Sequence, residues 1–102
     1  VINKFEHVST NWSIIPKINT KNHLIIDKSQ YSAFYKTRLA EILKSEKISD
    51  LIICGLITTS SCETAARYAF MRGFNVFFVS DATAIINQDL YLSALKNIAF
   101  WI

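Results

Sequence analysis

Glycine and proline are scarce, with two and one in 102 residues. Two glycines cannot build the G-x-G-x-x-G phosphate turn, which argues against an unrelated dinucleotide-binding domain. No Gly/Pro/Ser-rich linker and no internal repeat divides the chain, so it reads as one small domain. The only cysteines, Cys54 and Cys62, are too few for a disulfide framework and show no C-x-x-C spacing. His7 and His23 stand apart from each other and from any ligand-spaced Asp or Cys, so neither a metal nor another cofactor is expected. The longest apolar runs, "LIICGLI" and "VFFV", fall far short of the ~20 residues that cross a bilayer. No signal peptide is visible. With unpaired thiols this points to a reducing, cytoplasmic setting and no membrane partner. The eleven Lys and Arg give a net charge of +3 but are scattered. No basic run carries stacking aromatics, so no nucleic-acid partner is expected.

What is present is hydrophobic and ordered. Half the residues, 51%, are apolar, and 19% are charged, a globular composition. "HLII", His23 to Ile26, is short and β-branched and predicts a strand. "YSAFYKTRLAEILKSEK" repeats Tyr35, Leu39, Ile42 and Leu43 at helical spacing. "DLIICGL" is a continuous apolar run, the mark of a parallel strand covered on both faces. "SCETAARYAFMRG" predicts a helix closed by Gly73. "NVFFVSD" predicts the next strand and "LYLSALKNIAF" the last helix, with Tyr91, Leu95 and Ile98 on one face. The order β-α-β-α-β-α, with right-handed crossovers, gives an α/β fold: a parallel sheet flanked by helices in three layers, Rossmann-like. Three strands make a thin sheet. The chain begins on Val1 and stops on "AFWI", so both ends read as cut and the first strand or strands are expected to lie upstream.

Ligands of parallel sheets bind beyond the carboxyl ends of the strands. Three stretches lie there: Asp27-Lys28, the Thr58–Cys62 turn, and Ser80-Asp81. At the opening of a helix, unpaired N–H groups favour an anion and lower a thiol's pKa. The turn therefore reads either as a nucleophile site at Ser61 or Cys62, or as an ordinary helix start in which Thr58, Thr59, Ser60 and Ser61 serve as caps. Lys28 reads either as a solvated strand-end residue or as a proton carrier beside that turn. Asp81 reads as a turn cap, and Trp12 as a packing or pocket-rim residue.

"DKSQYSAFYKTRLAEIL", "LIICGLITTSSCETAARYAFMRGFNVFFVSDATA" and "LYLSALKNIAF" together resemble the isochorismatase-like, or cysteine, hydrolases. "NWSIIPKI" resembles the segment ahead of that family's lysine strand. The resemblance spans roughly residues 10 to 100, so residues 1–102 read as a partial isochorismatase-like hydrolase domain. It implies hydrolysis of small amides or vinyl ethers by a Cys nucleophile, with an Asp and a Lys handling protons. Lys28 matches the lysine. It also implies a cis peptide at Leu56–Ile57, with the N–H groups of Ile57 and of the nucleophile position forming an oxyanion hole. Counted without gaps from Gly55, the nucleophile position falls on Ser61, one residue before Cys62. The family's aspartate lies on an upstream strand, and the only Asp ahead of Lys28 is the adjacent Asp27. Tyr91 stands where many members have His. Two readings follow. One is a hydrolase acting on a small molecule, with this chain inactive alone because the Asp is missing and Ser61 fills the nucleophile register. The other is a non-catalytic binding or oligomerisation domain, or a decayed fragment. A homo-oligomer is expected in either case.

Overall fold

The computed structural model describes residue 14 and residues 16–102. His7, Trp12 and half of "NWSIIPKI" lie outside the described residues. Helix α1 covers Leu39–Ser45 and strand β1 covers Asp50–Leu56. A π-helical turn, Thr58–Cys62, runs directly into α2, Glu63–Met71. Strand β2 covers Asn75–Ala84 and α3 covers Gln88–Trp101. The two strands pair in parallel, from Asp50 opposite Asn75 to Leu56 opposite Ala84. From Ile53 to Gly55 β1 advances two residues while β2 advances from Phe78 to Thr83, so Val79–Ala82 form a bulge. That bulge carries β2 three residues past the expected end at Asp81.

The expected first strand is absent among the described residues. "HLII" is irregular, with Leu24 and Ile25 more than half exposed. β-Branched content supplies propensity but not a partner, and β1 pairs only with β2. The sheet here has two strands rather than three. The helix expected from residue 31 onward begins only at Leu39. Local side chains capture the backbone before it: Ser32 Oγ accepts from the Phe34 N–H at 3.1 Å, Thr37 Oγ1 donates to the Ala33 carbonyl, and Lys36 sits at φ 49°. Such bonds compete with helix formation.

Burial alternates along β1. Leu51 and Ile53 face α1 and α2, where Phe34, Leu43 and Ala69 form the buried centre with Leu39, Tyr68, Phe74 and Val76 around it. Ile52, Leu56 and Phe77 are 74%, 71% and 56% exposed. The continuous apolar run therefore does not mean cover on both faces among the described residues. α2 buries Ala66 and Ala69 and ends at Gly73, which takes φ +84° as the helix-closing residue. α3 starts on Asn87, whose Oδ1 accepts from the Leu90 N–H at 3.0 Å, and buries Ala94 and Ile98.

Candidate active site

The chain leaves β1 through a cis peptide between Leu56 and Ile57, the bond singled out by the family resemblance. The Cys62 N–H then donates to the Ile57 carbonyl at 3.1 Å, closing the π-helical turn. The N–H groups of Thr58 to Ser61 lie ahead of that first bond and have no acceptor within the turn. The expected side-chain caps do not form: no hydroxyl accepts from the turn or from the first turn of α2. Thr58 is instead fully buried, and its Oγ1 has no partner among the described residues.

Neighbours in a helical turn point in different directions, and here the difference separates two candidates. Cys62 turns inward and is 4% exposed. Ser61 is half-buried, and its Oγ lies 3.5 Å from the Lys28 Nζ. That Nζ also donates to the Gln30 carbonyl at 2.9 Å and the Tyr31 carbonyl at 3.2 Å. The structure therefore brings Lys28 to Ser61 across 33 positions of sequence. Asp27, next to Lys28, is exposed. Asp81 sits exposed on the β2 bulge, with no hydrogen bond or ion pair to either residue among the described residues. The bulge itself is held by the Ser80 carbonyl, which accepts from Thr83 Oγ1 at 3.0 Å and from the Tyr91 hydroxyl at 2.9 Å.

Electrostatics follows burial. Desolvation pushes the Cys62 thiol above its ordinary range, Cys54 adds to this, and Lys28 offsets it only in part. The thiol lowering expected from the helix start is thus reversed. Desolvation also lowers the Lys28 ammonium, with Cys62 opposing. The acceptors around Nζ have a matching stereochemistry. An ammonium has three N–H donors, and two carbonyls plus Ser61 Oγ use all three. A neutral amine has two N–H groups for the carbonyls and a lone pair left toward Ser61. This arrangement can take a proton from a hydroxyl and return it to a leaving group.

The carbonyls of Gln30 and Tyr31 are parts of the site that sequence reasoning does not reach, because any residue supplies a carbonyl. The same holds for an apolar cleft of about 730 Å³ next to the turn, lined by Leu56, Ile57, Ile85, Ile86 and Leu90, with Asn87 at its edge. Among the described residues no three His, Cys, Asp or Glu gather as metal ligands. No described helix is long and apolar enough to cross a membrane.

Known proteins share this architecture. The chain is 47% identical over 76 residues to Nicotinamidase 3 of Arabidopsis thaliana, covering 74% of this chain and 38% of that protein. A cysteine hydrolase from Pseudomonas syringae pv. phaseolicola superposes with a TM-score of 0.86 at 26% identity, covering 94% of this chain and 51% of that one. An isochorismatase-like hydrolase from Alkaliphilus metalliredigens matches in fold, with a TM-score of 0.86 at 23% identity over 92% of this chain and 53% of that one. The chain thus spans about half of these structures and less of the plant relative. A family profile described as Isochorismatase domain matches residues 3–101, and on that match the chain belongs to the isochorismatase family.

Proposed function

We propose that this domain serves hydrolysis of a small amide or vinyl ether, with Ser61 at the attack position and Lys28 moving the proton. The contact that carries this reading is Lys28 Nζ to Ser61 Oγ at 3.5 Å, beside a thiol that is buried and held protonated. Catalytic contacts are often long before substrate binds. The 47% identity to a protein named as a nicotinamidase favours the amide.

For an amide the steps balance as follows. Neutral Lys28 accepts the Ser61 hydroxyl proton as Oγ bonds to the carbonyl carbon. The N–H groups of Ile57 and Ser61 receive the oxyanion. The C–N bond then breaks, and Lys28 returns the proton to the departing amine. Water, deprotonated by Lys28, cleaves the resulting ester and regenerates Ser61. A serine hydroxyl is a weaker nucleophile than a thiolate, and no carboxylate approaches Lys28 among the described residues. In this reading the chain alone is inactive or nearly so.

The burial of Cys62, and the lack of a carboxylate near Lys28 among the described residues, favour a second reading, a non-catalytic binding or self-associating domain. Assay of nicotinamide and isochorismate hydrolysis separates the two. The hydrolase reading expects Ser61→Cys to raise amide turnover above that of the parent chain, and Lys28→Ala to remove the gain. Ser61→Cys with no turnover, in a folded protein, leaves the non-catalytic reading.

A further inference from the structure

A second cleft, of about 560 Å³, lies where α1 gives way to β1 and α2 gives way to β2. It sits at the amino ends of the strands, whereas Ser61 follows the carboxyl end of β1. The seven residues of β1 at about 3.3 Å each separate the two places by roughly 20 Å. Among the described residues three cations line it, Lys44, Lys47 and Arg72, and no carboxylate does. Ile48 and Phe74 give it an apolar floor, and Ser49 adds a hydroxyl.

None of the three cations is paired with a carboxylate among the described residues. The ion pairs among the described residues join Arg38 to Glu41 and Arg67 to Glu63, and use none of them. Two acids flank the cleft in sequence without lining it: Glu46, between Lys44 and Lys47, is exposed and makes no ion pair among the described residues, and Asp50 accepts from the Asn75 amide. Cations at helix C-termini commonly serve the last carbonyls. Here the main chain does most of that work. Ile48 and Lys47 N–H groups donate to the Leu43 and Lys44 carbonyls at 2.9 and 3.1 Å. Phe74 and Gly73 N–H groups donate to the Ala69 and Phe70 carbonyls at 3.1 and 2.9 Å. Among the lining groups, two partial charges of about −0.5 stand against three full positive ones, so the lining is positive while Glu46 and Asp50 flank it.

Arg72 is also held in place. Its guanidinium carbon lies 5.0 Å from the Phe34 ring centre and 5.2 Å from that of Tyr68. One long bond, Nη1 to the Tyr68 carbonyl at 3.4 Å, uses one of its five N–H donors. A fixed guanidinium with free donors suits planar, bidentate recognition of phosphate oxygens.

We propose that this cleft binds a small phosphate-bearing molecule with at least two negative charges, its apolar or planar part resting on Ile48 and Phe74. Nucleoside phosphates belong to that class. The proposal does not depend on the hydrolase reading.

Calorimetric titration of the chain with ADP, pyrophosphate and uncharged adenosine tests it. ADP is expected to saturate one site, pyrophosphate to bind more weakly, and adenosine not to bind. Lys44→Glu and Arg72→Lys are each expected to weaken ADP by about tenfold, the scale of one lost charge-assisted contact. Lys44 stands on an exposed helix face, so its variant retains the fold, as circular dichroism checks. Lys17→Glu, at an exposed position that does not line the cleft, is expected to leave ADP affinity unchanged. No saturable ADP binding overturns the proposal. So does an equal loss in Lys17→Glu and Lys44→Glu, which marks general attraction to the net charge, or adenosine binding as tightly as ADP.

Discussion

Ser61 and Cys62 are adjacent and chemically opposite. The thiol, the better nucleophile, faces the interior, and the hydroxyl faces the amine. Alkylation exposes this directly. Cys54 is exposed and is expected to react with iodoacetamide first, with Cys62 slower by roughly tenfold or more, because only a thiolate reacts and burial keeps Cys62 a thiol. Peptide mass spectrometry over time reads the order, and fast labelling of Cys62 would return it to candidacy as the nucleophile. In the Ser61→Cys chain, Lys28→Ala is expected to lower kcat/KM by about 10²–10⁴-fold, the usual worth of a positioned base. The pH profile has a definite sign. Lys28 is useful as a base only when neutral, and burial lowers its pKa, so the rate rises with pH to a midpoint below 10.5. A profile flat from neutral pH to that value removes Lys28 from the proton path. Lys28 and the turn are legible in the sequence because each closely follows an apolar stretch, with Asp27 alone between Ile26 and Lys28. The inward turn of Cys62 is not legible, since it depends on the π-helical winding of residues 58–62.

Elements with their own local signals form as the pattern implies, and the others do not. β1 and β2 carry apolar runs that pair with each other, α2 carries a helical period closed by Gly73, and α3 carries a helical period started by the Asn87 cap. The strand at residues 23–26 has only composition, and a strand also needs a neighbour. The first part of the predicted helix fails because Ser32 and Thr37 bind the backbone themselves. Helix ends offer a quantitative check. α1 and α2 close with the same pair of main-chain bonds, but the left-handed closing residue is Lys47 at φ 55° in one and Gly73 at φ 84° in the other. A Cβ in that region costs about 1 kcal/mol, so Lys47→Gly is expected to stabilise the chain by up to ~1 kcal/mol and Gly73→Ala to destabilise it by a similar amount. Asn87→Ala removes the cap on Leu90 and is expected to cost ~1 kcal/mol. Urea denaturation reads all three. If the cleft binds phosphates, Lys47→Gly also weakens ADP while it stabilises the fold, a trade that explains a lysine where glycine is the easier residue.

For the whole molecule the balance of cover decides behaviour. Seven hydrophobic residues are buried among the described residues, while eighteen large ones are exposed. Three of the exposed ones, Ile52, Leu56 and Phe77, lie on one face of the paired strands and above an already covered opposite face. Full burial of each is worth ~1.5–3 kcal/mol, so together they outweigh a surface ion pair several times over. A parallel sheet is ordinarily covered on both faces, and an open apolar face drives association. The 102-residue chain is therefore expected to self-associate through this face. Sedimentation should show a mass rising above 11.6 kDa with concentration. Replacing Ile52 and Phe77 by Lys should hold it at the monomer value, with little loss of stability because both side chains already face solvent in the single chain. A parent chain that stays monomeric and binds no hydrophobic dye would show that this face is not sticky. An association unchanged by the two lysines would place the contact elsewhere, with exposed Phe100 and Trp101 at the end of α3 as the next surface to substitute.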